Sequence, residues 1–256
     1  MSEQKVVRVV LGIPNEGHCH VEAYTNRLEN WFYLGKLQER GRLENHPTRF
    51  EFMFITLGRI FTPLAREEMA KATLEANADY LYMVDDDMIC PNDTFEKLYA
   101  HDVDLVAPLA FTRNFPHHAV LYDVQDGWDS MSQSHYFINH YVDNYPKDTL
   151  VECDAVGFGA ALIKAEVLRG TPSPRFMSTC GTGEDIYFCR QARKKGFRVF
   201  MDTGTKLGHL SHPIEVTEEY VAKVRKEFGY KDAMSLAPKH MTNGFIKGEA
   251  KLILGD

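Results

Sequence analysis

Apolar positions in this chain fall into short, nearly unbroken runs separated by stretches with helical spacing. Residues 6–13 form the first run and end in Pro14-Asn15-Glu16-Gly17, the pattern of a strand buried on both faces that stops at a loop. Residues 22–40 then place Tyr24, Leu28, Trp31, Phe32, Leu34 and Leu37 at mostly helical spacing, with Gly41 as the expected stop. A second apolar run covers 50–57. Thr62-Pro63 offers an N-cap followed by proline at the first helical position and predicts a helix to residue 77. Further runs at 80–84 and 104–111 predict a third and a fourth strand, so this half of the chain reads as βαβ units around a parallel sheet.

Residues 114–148 differ: His, Tyr, Asp, Asn and Gln dominate and periodicity is weak, as expected of a sheet extension with loops over a site. Residues 151–156 are strand-like, Gly157-Phe158-Gly159 breaks the run, and 160–168 continues apolar. Helices are expected over 184–195 and 217–228, the second capped by Thr217 with Glu218 and Glu219 in its first turn, and a short strand over 198–201. The expectation is a single domain over residues 1–256: a nucleotide-binding half at 1–112, a catalytic and acceptor half at 113–230, and a C-terminal tail at 231–256.

Composition narrows the function classes. The 256 residues are 44% hydrophobic and 25% charged, enough to bury a substantial core. A formal net charge of −7 disfavours a general nucleic-acid binder, which needs a basic surface. The N-terminal MSEQKVVRVV has no apolar segment of signal-peptide length, so a cytoplasmic location is expected. Five scattered cysteines without CxxC spacing argue against a disulfide framework or a zinc knuckle.

The chemistry concentrates at Asp85-Asp86-Asp87, three carboxylates directly after the apolar run 80–84. Ligands of an open parallel sheet sit outside the carboxyl ends of its strands. In extended geometry Asp85 and Asp87 project to one side and Asp86 to the other. Two carboxylates on one face call for a cation, and oxygen ligands favour Mg²⁺ or Mn²⁺, with an added imidazole tilting the choice to Mn²⁺. Asp-rich turns also serve as plain helix caps, as Asp93 before Thr94-Phe95 does in one reading.

An apolar strand ending in this D-x-D pattern resembles the metal and nucleotide-sugar motif of GT-A-fold glycosyltransferases, particularly the family 2-like group. VVLGIPNEG resembles that group's first strand and nucleotide-binding loop, and AREEMAKATLEANADYLYMVDDDM the helix and strand leading into its D-x-D. DAVGFGAALIKAEVL is similar to its glycine-containing segment near the reacting sugar, and GEDIYFCRQARKKGFRVFMDTGTKLGH to its Glu-Asp helix, strand and metal-binding histidine. The resemblance implies an α/β GT-A fold, Rossmann-like, with a mostly parallel central sheet flanked by helices and a small antiparallel extension. It implies a nucleoside-diphosphate sugar as donor, UDP-sugar favoured, with Mn²⁺ or Mg²⁺ held by Asp87, Asp85 and His209. His212 is the near competitor of His209.

Asp86 is then expected at the ribose, and Pro14, Asn15 and Glu16 along the nucleotide. Asp185 is the implied general base with Glu184 beside it, although its place at a helix start equally suits a capping acid. Arg66 stands where the family often has Arg-Asn, but Glu67 follows; it contacts phosphate or lies on a solvated helix face. Gly157, Phe158 and Gly159 let the backbone approach sugar or acceptor, or form a plain bulge. His117-His118 reads as a solvated or substrate-facing pair, and Arg190, Arg193, Lys194, Lys195 and Arg198 as a solvated basic face. Trp128, Tyr136, Phe137 and Tyr141 stack on substrate or pack in the core. The acceptor stays open among saccharide, lipid-linked sugar, protein, metabolite and modified DNA base.

Two rivals remain. A nucleotidyltransferase wants a basic, glycine-rich triphosphate loop after the first strand, whereas VLGIPNEGHCH is acidic and poor in lysine. A non-catalytic nucleotide- or saccharide-binding module would bind without turnover.

Overall fold

The computed structural model describes residues 4–229 apart from 16, 18–19, 44–46, 130, 132, 180–181 and 212–213. A seven-stranded sheet forms its centre, in the order β2-β1-β3-β10-β5-β11-β8. The strands are β1 (Lys5–Asn15), β2 (Thr48–Gly58), β3 (Tyr80–Val84), β5 (Leu105–Leu109), β8 (Leu150–Cys153), β10 (Ala160–Lys164) and β11 (Val199–Lys206). β1, β2 and β3 run parallel, as do β5 and β11; β10 is antiparallel to both β3 and β5, and β8 antiparallel to β11. The third and fourth expected strands, β3 and β5, thus run in the same direction, with a strand from much later in the chain lying antiparallel between them.

Side-chain alternation on the strands builds two cores. Leu81 and Met83 of β3 pack with Ala65, Met69 and Ala70 of α2 (Thr62–Glu75) and with Ile186, Phe188 and Cys189 of α5 (Glu184–Lys194). Tyr80, Tyr82 and Val84 face the other way, onto Leu34 and Leu37 of α1 (Val21–Leu43) and Phe95 and Leu98 of α3 (Thr94–Ala100). Phe95 stands edge-on to Phe50 and Phe52, with centroids 5.3 and 5.2 Å away. The apolar stretch after Gly159 divides, β10 passing directly into α4 (Ala165–Gly170).

Two small antiparallel sheets complete the fold. One joins β4 (Met88–Ile89), β12 (Gly208–Ser211) and β13 (Ile214–Val216); the other joins β6 (Leu121–Asp129), β7 (Ser134–Tyr141) and β9 (Ala155–Val156). α6 (Glu218–Glu227) follows, and Thr217 Oγ1 accepts from Tyr220 N as its cap predicts. This mixed, mostly parallel sheet with antiparallel extensions is the architecture expected of a GT-A fold. No described helix is long and apolar enough to cross a membrane.

Several local expectations change. α1 does not stop at Gly41 but runs on to Leu43; Gly41 is a close-packing position, where a Cβ would lie 3.1 Å from Arg49 Cα. Its inner face is partly polar: Tyr24 and Phe32 are exposed while Arg27 and Asn30 are buried. At α2 the cap is Phe61, not Thr62, and no side chain caps it. Arg190 is buried, not part of a solvated face. Cys90, Cys153 and Cys189 are buried thiols; Cys19 and Cys180 lie outside the described residues.

Candidate functional site

The carboxylates do not continue β3 in extended form. Residues 85–88 turn, with Asp85 N donating to Gly159 O (2.8 Å) and Asp87 O accepting from Leu210 N (2.9 Å). The carbonyls freed by this turn need donors, and α1 supplies them. Arg27 Nη2 donates to Asp85 O (2.7 Å), while Asn26 and Asn30 donate to Cys90 O at 2.9 and 3.1 Å. That demand explains why the helix buries polar residues. Polar positions four apart, at 26 and 30, were its trace in the sequence.

The turn sends Asp85 and Asp87 to different partners. Arg66, only 3% exposed, places Nη2 at 2.9 and 3.0 Å from the two Asp85 oxygens. It also donates Nε to Glu184 Oε1 (3.1 Å) and Nη1 to Phe158 O (3.3 Å). Arg66 is thus a buried junction of α2, β3, the glycine segment and α5, and the expected solvated face is corrected. Burial pushes the Asp85 carboxyl up to about 7, the charges of Asp87 and Glu184 adding to it and Arg66 opposing.

Asp87 meets His209. Pairing of β4 with β12 sets His209 opposite Met88. Its Nε2 comes 3.2 Å from Asp87 Oδ2, and its Nδ1 donates to Phe111 O at 2.7 Å. Burial raises Asp87, but His209 and Arg113 outweigh it and hold the carboxyl below its usual range. Burial lowers His209, and Asp87 outweighs it in turn. Arg113 Nη1 stands 3.4 Å from the same Asp87 oxygen. Among the described residues no group of three His, Cys, Asp or Glu side chains is placed to hold a metal ion, since Asp85 is turned into the Arg66 fork.

Asp185 lies in the first turn of α5, where its Oδ1 accepts from Ile186 N (2.7 Å). Burial first, and the charge of Glu184 second, push it up to about 6. Tyr122 of β6 lies within its field: burial and then the Asp185 charge push that phenol well up.

Gly157 and Gly159 serve packing. A Cβ at Gly157 would lie 2.7 Å from Val120 Cβ, and one at Gly159 2.9 Å from Met88 Cε. Phe158 is 1% exposed. Within the segment, the carbonyls of Phe158 and Gly159 accept from Arg66 Nη1 and Asp85 N.

At the carboxyl end of β1, Pro14 and Asn15 pair with Leu57 and Gly58 of β2. Asn15 Oδ1 accepts from Gly17 N (2.5 Å), and Asn15 O from Arg59 N (2.8 Å). Asp86 is partly exposed on the turn. Glu16 and His212 lie outside the described residues, as do the side chains of Trp128, Tyr136 and Phe137. Arg113, Arg27 and the His118–Asp143 pair were missed, because each acquires its partner only through folding.

By fold the chain is an α/β protein with a large, mostly parallel central sheet and small antiparallel extensions. No protein-family model matches it, and no curated protein does. Among solved structures, A197 from STIV is similar at TM-score 0.54 and 18% identity, over 84% of this chain and 92% of that one. GalNAc-T7 with UDP, GalNAc and Mn²⁺ follows at 0.47 and 12% identity, over 88% of this chain and 48% of that one. UDP-glucose pyrophosphorylase complexed with UDP-glucose stands at 0.44 and 7%, over 88% and 100%. The likeness to A197 is one of fold, and the last two are too distant to carry an argument.

Proposed function

We propose that this chain is a metal-dependent glycosyltransferase that moves a sugar from a nucleoside-diphosphate donor, UDP-sugar favoured, to an acceptor hydroxyl. The observation carrying this reading is the meeting of Asp87 and His209, 122 residues apart in sequence, at 3.2 Å. Donation of Nδ1–H to Phe111 O fixes the ring so that Nε2 faces the carboxylate, and an ion between the two would take the place of the Nε2 proton now shared with Asp87.

Asp87 and His209 fit as two protein ligands of Mn²⁺ or Mg²⁺, ions that keep waters and donor phosphates in their remaining positions. Asp85, held by Arg66, would reach the ion through water. The bound ion supplies Lewis-acid neutralisation of the departing diphosphate. Asp86, Pro14 and Asn15 flank the nucleoside. Asp185, with its carboxyl at about 6, is ionised at neutral pH yet basic enough to take the acceptor's proton as the hydroxyl oxygen attacks the anomeric carbon. Glu184 raises that basicity and ties α5 to Arg66. The acceptor lies along the β6–β7 hairpin.

Thermal denaturation with UDP, GDP, ADP, CDP and TDP, each with Mn²⁺ and with chelator, tests this reading. A ligand at a hundred times its dissociation constant adds about 2.7 kcal/mol to apparent stability. One diphosphate should raise the melting temperature and lose the effect with chelator; no shift from any of them overturns the proposal.

A further inference from the structure

Residues 111–119 form a closed strap beside the Asp87–His209 corner. Phe111 and Ala119 bridge its ends. Inside it, Thr112 N donates to His118 O (2.9 Å), His118 N to Thr112 Oγ1 (3.0 Å), His117 N to Asn114 O (2.8 Å) and His117 Nδ1 to Thr112 O (3.0 Å).

A latch holds the strap from outside. Arg225 of α6 donates Nε to Pro116 O (2.9 Å) and Nη2 to His117 O and Asp143 Oδ1 (both 2.8 Å). Asp143, 5% exposed in its side chain, also accepts from Ala119 N (3.1 Å) and His118 Nδ1 (2.5 Å), and the His118 ring stacks on Tyr141 at 4.3 Å. So much buried bonding around a short surface loop needs a reason beyond the loop itself.

Arg113 provides one. Its side chain is 54% exposed, with Nη1 3.4 Å from an Asp87 oxygen that His209 already engages. An exposed pair of that kind adds little to stability. Arg66, by contrast, is buried with carboxylates on two of its nitrogens and cannot turn to a ligand.

We propose that Arg113 is the cation that receives the leaving diphosphate, and that Arg225 and Asp143 are positioning residues that hold its strap in place. This rests on the glycosyl-transfer reading above. As the bond from the anomeric carbon to the diphosphate oxygen breaks, its electron pair passes to that oxygen, while the acceptor oxygen bonds to the carbon and its proton goes to Asp185. Arg113 meets the charge that grows on the diphosphate, where a preplaced donor has its largest effect.

Binding of UDP, GDP, ADP, CDP and TDP with Mn²⁺, each beside its monophosphate, tests this in the full chain, in Arg113→Ala, in Arg225→Gln and in the double variant. Arg113→Ala should weaken the bound diphosphate ~10- to 100-fold, the loss of one charge-assisted contact, and leave its monophosphate unchanged. Arg113→Lys should recover part of the loss. Arg225→Gln should weaken the diphosphate too, and the double variant no further than Arg113→Ala alone. Unchanged diphosphate affinity in Arg113→Ala, or equal loss for both phosphates, overturns the role of Arg113 while leaving the transferase reading standing. Additive losses overturn the latch. No binding of any diphosphate by the unaltered chain overturns both readings.

Discussion

Asp85 and Asp87 leave the same strand end two residues apart and finish in opposite surroundings. Asp85 faces inward, gripped by a buried guanidinium and raised by burial; Asp87 faces a histidine and a half-exposed arginine and is held low. The turn at 85–88 produces the split. A run of three acids thus divides: one member joins the scaffold, and another faces His209 and Arg113.

The largest effect expected from breaking this contrast is Asp87→Ala, which removes one of two protein ligands and should take metal-dependent diphosphate binding below detection by calorimetry. Native-like urea stability should remain, and unchanged affinity would refute the metal assignment. Next, Asp185→Asn should keep donor binding and slow transfer ~10²- to 10⁴-fold in a steady-state assay. In the unaltered chain the rate should fall as pH drops through about 6, because below that value the base carries its proton; a profile flat from pH 5 to 8 would remove Asp185 from the role.

Arg66→Ala should act on the other side of the contrast. It strands Asp85 and Glu184 and should cost about 3–5 kcal/mol in urea denaturation. If Arg66→Ala leaves stability intact, the inward carboxylate is no part of the scaffold. The smallest effect is Gly157→Ala, where crowding of Val120 should cost about 1–3 kcal/mol with donor affinity unchanged.

How far these features were legible follows the range of their causes. The strand at 80–84 and the helix opening at Glu184 match their expected bounds, because apolar runs and acidic first turns are local signals. The meeting of Asp87 with His209 rested on family resemblance, and β4–β12 pairing is what supplies it. The face of α1 was misread because Arg27 and Asn30 answer carbonyls from residues 85–90, some sixty positions away in the chain. For Arg66 the choice was between phosphate contact and a solvated face, and its buried setting left no local trace because its partners lie 19, 92 and 118 residues away. Arg113 left no pattern, standing in a loop whose fixed shape comes from α6 and Asp143.

β10 also decides the order in which this molecule can be made. It pairs with β3 on one side and β5 on the other, yet leaves the ribosome after the whole β6–β7 hairpin and β8. Until it arrives, a nascent chain holds two buried-type strands with open, adhesive edges. Such long-range closure is slow, so synthesis paused before residue 160 should yield the most aggregation-prone intermediate, and emergence of residues 160–164 should begin to relieve it.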